Sequence, residues 1–177
     1  MNSSDTDVDS NRNNINQLIE TLKSKDGIAR QRARNSLAII GEPALDALIK
    51  AFEIKEEPVH WEIAKALSQI GTSKAAQVLV DALEEHDFSI RWIAAEGLIH
   101  IGSAGLIPLL EALRKKAGSV WMREGCHHVI HDLVNRKLVG ESTRKSLMPV
   151  LDALNHLDAA TQTYIAADNA IKAIYTK

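Results

Sequence analysis

Two stretches decide the reading: residues 26–41, DGIARQRARNSLAIIG, and residues 87–102, DFSIRWIAAEGLIHIG. Each opens on Asp, carries Arg four residues later and closes on Gly. Between these marks runs an apolar ladder, Ala29, Ala33, Leu37 and Ile40 in the first and Ile90, Ala94, Leu98 and Ile101 in the second. Steps of four, four and three put each set on one face of an α-helix. The closing glycine ends the helix, because it adopts a left-handed backbone at little cost. Val59, Ile63, Leu67 and Ile70 repeat the ladder before Gly71, so Gly41, Gly71 and Gly102 fall 30 and 31 residues apart.

A second amphipathic segment follows each glycine: Leu45, Leu48, Ile49, Phe52; then Ala76, Leu79, Val80, Leu83; then Leu106, Leu109, Leu110, Leu113. Lys25-Asp26-Gly27, Glu56-Glu57-Pro58 and His86-Asp87 restart the cycle. The period therefore encodes a helical hairpin with one apolar stripe per helix. Such a unit cannot bury both stripes alone and must stack on its neighbours.

Weaker copies follow. Met122, Cys126, Val129, Ile130 and Leu133 repeat the ladder with Arg123 in the place of Arg91, and a longer connection, NRKLVGESTRKS, comes next. Leu147, Val150, Leu151 and Leu154 pair with Ala167, Ala170, Ile171 and Ile174, and Ile15, Leu18, Ile19 and Leu22 supply the first helix. The sequence thus predicts an all-α solenoid of about five hairpins, ten helices, in units 15–41, 42–71, 72–102, 103–135 and 141–175. A polar, disordered tail is expected over residues 1–14.

Composition agrees. Aromatic residues make up 4% of the 177, and Ala and Leu dominate an apolar content of 45%, which favours helices over sheets. A net charge of −2 exerts no global pull on nucleic acid or anionic lipid. The single cysteine, Cys126, cannot form an internal disulfide, which suits a reducing compartment. The first fourteen residues lack a secretory apolar run, and no apolar stretch is read as approaching the roughly 20 residues of a membrane helix. A cytoplasmic protein that engages neither membrane nor nucleic acid is expected.

The segments quoted at the start resemble the short HEAT-like repeat of the phycobilisome bilin lyases and of many scaffolds. In that repeat Asp stands at the turn and Arg near the start of the second helix, as Asp26/Arg30 and Asp87/Arg91 do here. His60 and Tyr164 depart from the pattern in the Arg slot. The resemblance covers residues 15–175 and implies a solenoid whose second helices line a concave face; it specifies no activity. Asp26–Arg30 and Asp87–Arg91 are read as ion pairs bracing the turns.

Opposite each buried ladder lie the positions ten, six and three residues before the closing glycine. They hold Gln31, Asn35 and Ala38; Trp61, Lys65 and Ser68; Trp92, Glu96 and Ile99; Glu124, His128 and His131; and Ile165, Asn169 and Lys172. Trp61 and Trp92 occupy one outward position on neighbouring helices, with Trp121 just beyond. Exposed tryptophans mark binding surfaces, since they bring large apolar area with a polar N–H. The binding residues expected are Trp61, Lys65, Trp92, Glu96, Trp121, Glu124, His128 and His131.

The function read from these residues is a non-catalytic scaffold that takes a partner peptide or helix in a tryptophan-lined groove, without cofactor or metal and with no catalytic residue. The resemblance implies an alternative, a bilin-lyase-like protein that handles a tetrapyrrole between the tryptophans. A second alternative is a metal site on the shared face of Glu124, His128 and His131, with Glu96 opposite. A di-iron hydroxylase is set aside because no His is followed by Glu. A glycosylase-like grip on nucleic acid is set aside because the outward positions carry balanced charge.

Overall fold

The computed structural model describes residues 3–54, 57–156 and 160–176. Ten α-helices follow in order: α1 (Ser3–Thr21), α2 (Gly27–Ile40), α3 (Leu45–Glu53), α4 (Glu57–Ile70), α5 (Ala76–Ala82), α6 (Phe88–Ile101), α7 (Leu106–Lys115), α8 (Val120–Asn135), α9 (Glu141–Leu154) and α10 (Ala160–Tyr175). Short 3-10 turns lead into α3, α5 and α7. The described residues contain no strand.

The ladders form the core. Leu37, Leu67 and Leu98 are buried, as are Met122, Cys126 and Ile130 in α8. The second helices stack as one layer, α2 on α4, α4 on α6 and α6 on α8, while α1, α3, α5 and α7 form the other. One continuous core cluster joins the layers from Ile15 to Ile171. This is an α-solenoid.

Helix α1 starts well before Ile15, so residues 3–14, expected as part of a disordered tail, continue it. Asn11–Asn14 are exposed, and burial begins at Ile15. The helix is anchored through Ile15, Ile19 and Leu22, and its polar turns extend from that anchor. Residues 1 and 2 of the expected tail, and Glu56 of the second turn, lie outside the described residues.

Gly41 and Gly102 take φ values of 71° and 72°, as a helix stop requires. Their ψ values of −132° and −139° lie outside the left-handed helical well, in the mirror of the extended region. Side chains are excluded there more strictly than in a left-handed cap. The chain turns abruptly after α2 and α6 as a result.

The last hairpin departs from the pattern. Helix α9 packs on α8, extending the second-helix layer, and α10 packs on α7 in the first-helix layer. Arg114 of α7 meets Asp168 of α10 at 2.8 Å. The connection after α8, residues 136–140, is no longer than residues 83–87 between α5 and α6, because the second half of the segment expected as a long connection is the first part of α9. Ile165, Asn169 and Lys172, expected on the same face as the tryptophans, therefore belong to the opposite layer. Four helices, α7 to α10, close this end as a bundle.

Phe88–Lys115 is long and apolar enough to cross a membrane by length and composition, with a mean hydropathy of 1.6 in its best window. This corrects the expectation that no stretch approaches that length. The segment folds as two helices broken at Gly102, and 56% of that window is buried. A buried core helix carries the same composition as a membrane span, so hydropathy alone does not separate them.

Candidate functional site

The recurring Asp and Arg set where the candidate side chains stand, though not as ion pairs with each other: Arg30 pairs instead with Glu62 at 3.1 Å. Asp26 and Asp87 are N-caps, accepting the backbone N–H of Ile28 at 2.8 Å and of Ser89 at 2.7 Å. The Ser89 hydroxyl and then the Ser89 N–H hold the Asp87 carboxyl below its ordinary range. The arginines reach back to carbonyls of the turn that follows the preceding helix. Arg30 donates to Ser24 O at 2.8 Å, Arg91 to Glu85 O at 2.7 Å and His86 O at 2.8 Å, and Arg123 to Ala117 O at 3.3 Å. His60 fills the same slot, its Nε2 lying 3.0 Å from Ile54 O. The departure noted in the second unit is thus a substitution of one donor for another.

Arg91 also sits against aromatic rings, 4.8 Å from the Trp121 ring centroid and 5.6 Å from that of Phe88. Helix α8 is pinned next to it. Its N-cap Ser119 donates to Glu84 at 2.6 Å, and Lys116 lies 3.5 Å from the same carboxylate. Trp121, the second residue of α8, is held over Arg91 as a result. On α6, Trp92 stacks on His128 of α8, with ring centroids 4.7 Å apart and planes 26° apart. His128 Nε2 is 3.0 Å from the Glu96 carboxylate, which fixes the imidazole against the indole.

These contacts leave a cleft of about 180 Å³ between α6 and α8. Phe88, Trp92, Trp121, Glu124 and His128 wall it, over a floor of Ala95 and Gly125. Trp92 remains 49% exposed and Trp121 38%. Gly125 lets α8 sit close to the layer beneath, since a Cβ there would come within 2.9 Å of Leu83. The small floor and large rim give an aromatic notch that is open to solvent.

Five of the eight expected residues therefore converge: Trp92, Glu96, Trp121, Glu124 and His128. Trp61 does not join them. It packs partly into the core under Arg34, whose guanidinium lies 5.2 Å from its ring, and borders a separate cleft with Arg30 and Glu62. Lys65 is half-buried on the same helix. His131 turns the other way, with Asn135 Nδ2 at 2.8 Å and Asp132 at 3.5 Å, and stacks on His127. Ser68 and Ile99, expected outward, are buried between stacked helices.

The metal alternative loses its geometry with His131. Among the described residues no group of three His, Cys, Asp or Glu side chains is placed to hold an ion. Cys126 is fully buried beside Met122 Sδ at 3.6 Å, and burial pushes its thiol far above the ordinary range. It behaves as a small apolar side chain. His127 is held below its ordinary 6.5, first by burial and then by neighbouring His131, against an opposing hydrogen bond with Asn155.

Phe88 and Arg91 belong to the site but were not singled out for it. Phe88 had a sequence signal, standing four residues before Trp92 on one helical face. Arg91 reads in the sequence as the ion-pair partner of Asp87, and spacing alone does not reveal a role against two rings.

HEAT repeats are matched over residues 15–99 and 56–125. The phycocyanobilin lyase subunit alpha of a Picosynechococcus strain is 34% identical over 79 residues, 41% of this chain and 30% of that relative. The match thus spans under a third of the relative's length. Two engineered proteins of known crystal structure overlay with TM-scores of 0.44 and 0.42, at 20% and 19% identity. They cover 92% and 91% of this chain, and 84% and 47% of their own. With the repeat match running from residue 15 to residue 125, more than half of the 177 residues, the chain belongs to the HEAT-repeat family.

Proposed function

We propose that this protein is a non-catalytic interaction scaffold whose α6/α8 cleft receives an apolar side chain from a partner protein. The observation that carries the reading is the pair of partly exposed tryptophans, Trp92 and Trp121, facing one notch of about 180 Å³. Small-molecule sites usually enclose about 300–1,000 Å³. The notch is below that range and suits a single side chain laid in from a peptide or helix. Truncating an aromatic anchor of this kind costs about 2 kcal/mol or more of binding energy.

The test compares wild type with a Trp92→Ala/Trp121→Ala variant in affinity capture and thermal melting. The variant is expected to lose a specific partner while its stability changes by less than about 1 kcal/mol, as for exposed side chains. Unfolding of the variant with undiminished binding per folded molecule would make the tryptophans structural.

A second reading has one observation in its favour, the partial match to a phycocyanobilin lyase subunit. Under it the stacked Trp92 and His128 rings contact a tetrapyrrole. Titration with phycocyanobilin separates the two. The scaffold reading predicts no stoichiometric change in its absorption, whereas a shift abolished by Trp92→Ala would favour the pigment.

A further inference from the structure

Glu124 stands on the rim of the cleft and also borders a second cleft of about 350 Å³, between α8 and the end of α9. The other charges along this seam are engaged. Arg91 is committed to the carbonyls of Glu85 and His86, Arg123 to that of Ala117, Glu96 to His128, and Glu84 to Ser119 and Lys116. Glu124 is exposed, and among the described residues it has neither a hydrogen-bond nor an ion-pair partner.

We infer that the partner segment carries a basic residue next to its apolar anchor, so that a lysine or arginine meets Glu124 when the anchor enters the notch. This rests on the docking reading above and adds a charge preference to it. The cation belongs at the rim and not in the depth of the notch. There the Arg91 guanidinium already lies against Trp121 and Phe88, and a second cation would meet its repulsion. Val120 is exposed on the far side of Glu124 and lines the second cleft, giving the segment further apolar contact beyond the charge. The occupant is therefore an amphipathic, basic stretch of another protein, not an acidic one.

Three small probes with similar branched alkyl bodies test this: 3-methylbutylammonium, 3-methylbutanol and 4-methylpentanoate. Each is titrated into the full chain while the indole N–H signals of Trp92 and Trp121 are followed by NMR. An exposed ion pair is a modest interaction, so the ammonium should bind about threefold more tightly than the alcohol, with the carboxylate weakest. In Glu124→Gln the ammonium and the alcohol should bind equally. Equal binding of all three probes to wild type, or an ammonium preference that survives Glu124→Gln, overturns the charge inference. If binding is also lost in Trp92→Ala in that case, the docking reading still stands. If no probe moves either indole signal, both fall together.

Discussion

Gly97→Ala sets two known effects against each other, and the structure says which wins. In an exposed helix interior the change gains about 1 kcal/mol, because glycine is a poor helix former. Gly97 is buried where α6 crosses α4. A Cβ there would lie 2.8 Å from Leu79 Cδ1, 3.0 Å from Ser68 Cβ and 3.1 Å from Ser68 Cα. The leucine methyl can swing aside, but the Ser68 backbone is part of a packed helix and cannot yield without separating the two. Overpacking of this kind costs about 1–3 kcal/mol. The net expectation is a loss of about 1 kcal/mol, or a melting temperature lowered by about 2–4 °C for a chain of this size. Gly118→Ala is the control. Its Cβ would meet nothing within 4 Å, so the change should be neutral or slightly stabilising. The assay is thermal melting by circular dichroism of both variants beside wild type. A higher melting temperature for Gly97→Ala would mean that α4 and α6 are not in close contact and that the layer is packed otherwise.

Other consequences follow from the braces and the histidines. Arg91→Ala should cost about 1.5–3 kcal/mol, since it removes charge-assisted hydrogen bonds to two carbonyls, and it should also free Trp121; an unchanged denaturant midpoint would refute that role. His127 should titrate below 6.5, because burial and His131 disfavour its charged form. The sign follows from linkage: the unfolded chain takes up the proton first, so this contribution is present above pH 6.5 and is lost as pH falls through the depressed folded value. An NMR midpoint at or above 6.5 would contradict the environment described.

The fold was largely legible because its signal is periodic. The glycine spacing and the ladders of Leu37, Leu67 and Leu98 carry it, and each of those leucines is buried. The inverted last hairpin was not legible. The apolar stripe of α10, Ala167, Ala170 and Ile171, fits either layer equally well, and the connection before α9, residues 136–140, is no longer than residues 83–87 between α5 and α6. Asp and Arg four residues apart have the spacing of an ion pair, yet an N-cap satisfies the helix start better and frees the arginine for the carbonyls of the preceding turn. Trp61 and Trp92 share a register but not an environment. Trp61 is covered by Arg34 from the preceding unit, whereas Trp92 faces His128 in the following one. Position within a repeat was readable from one sequence; what the neighbouring unit presents to that position was not.

The central claim is that Trp92 and Trp121 face an open notch. Acrylamide quenching of three variants, each keeping one tryptophan and carrying phenylalanine at the other two positions, tests it most directly. The account predicts strong quenching of Trp92 and Trp121, which are 49% and 38% exposed, and weaker quenching of Trp61, which packs against the core. If Trp92 proves as protected as Trp61, the notch is closed in solution and the docking site is not where it is placed.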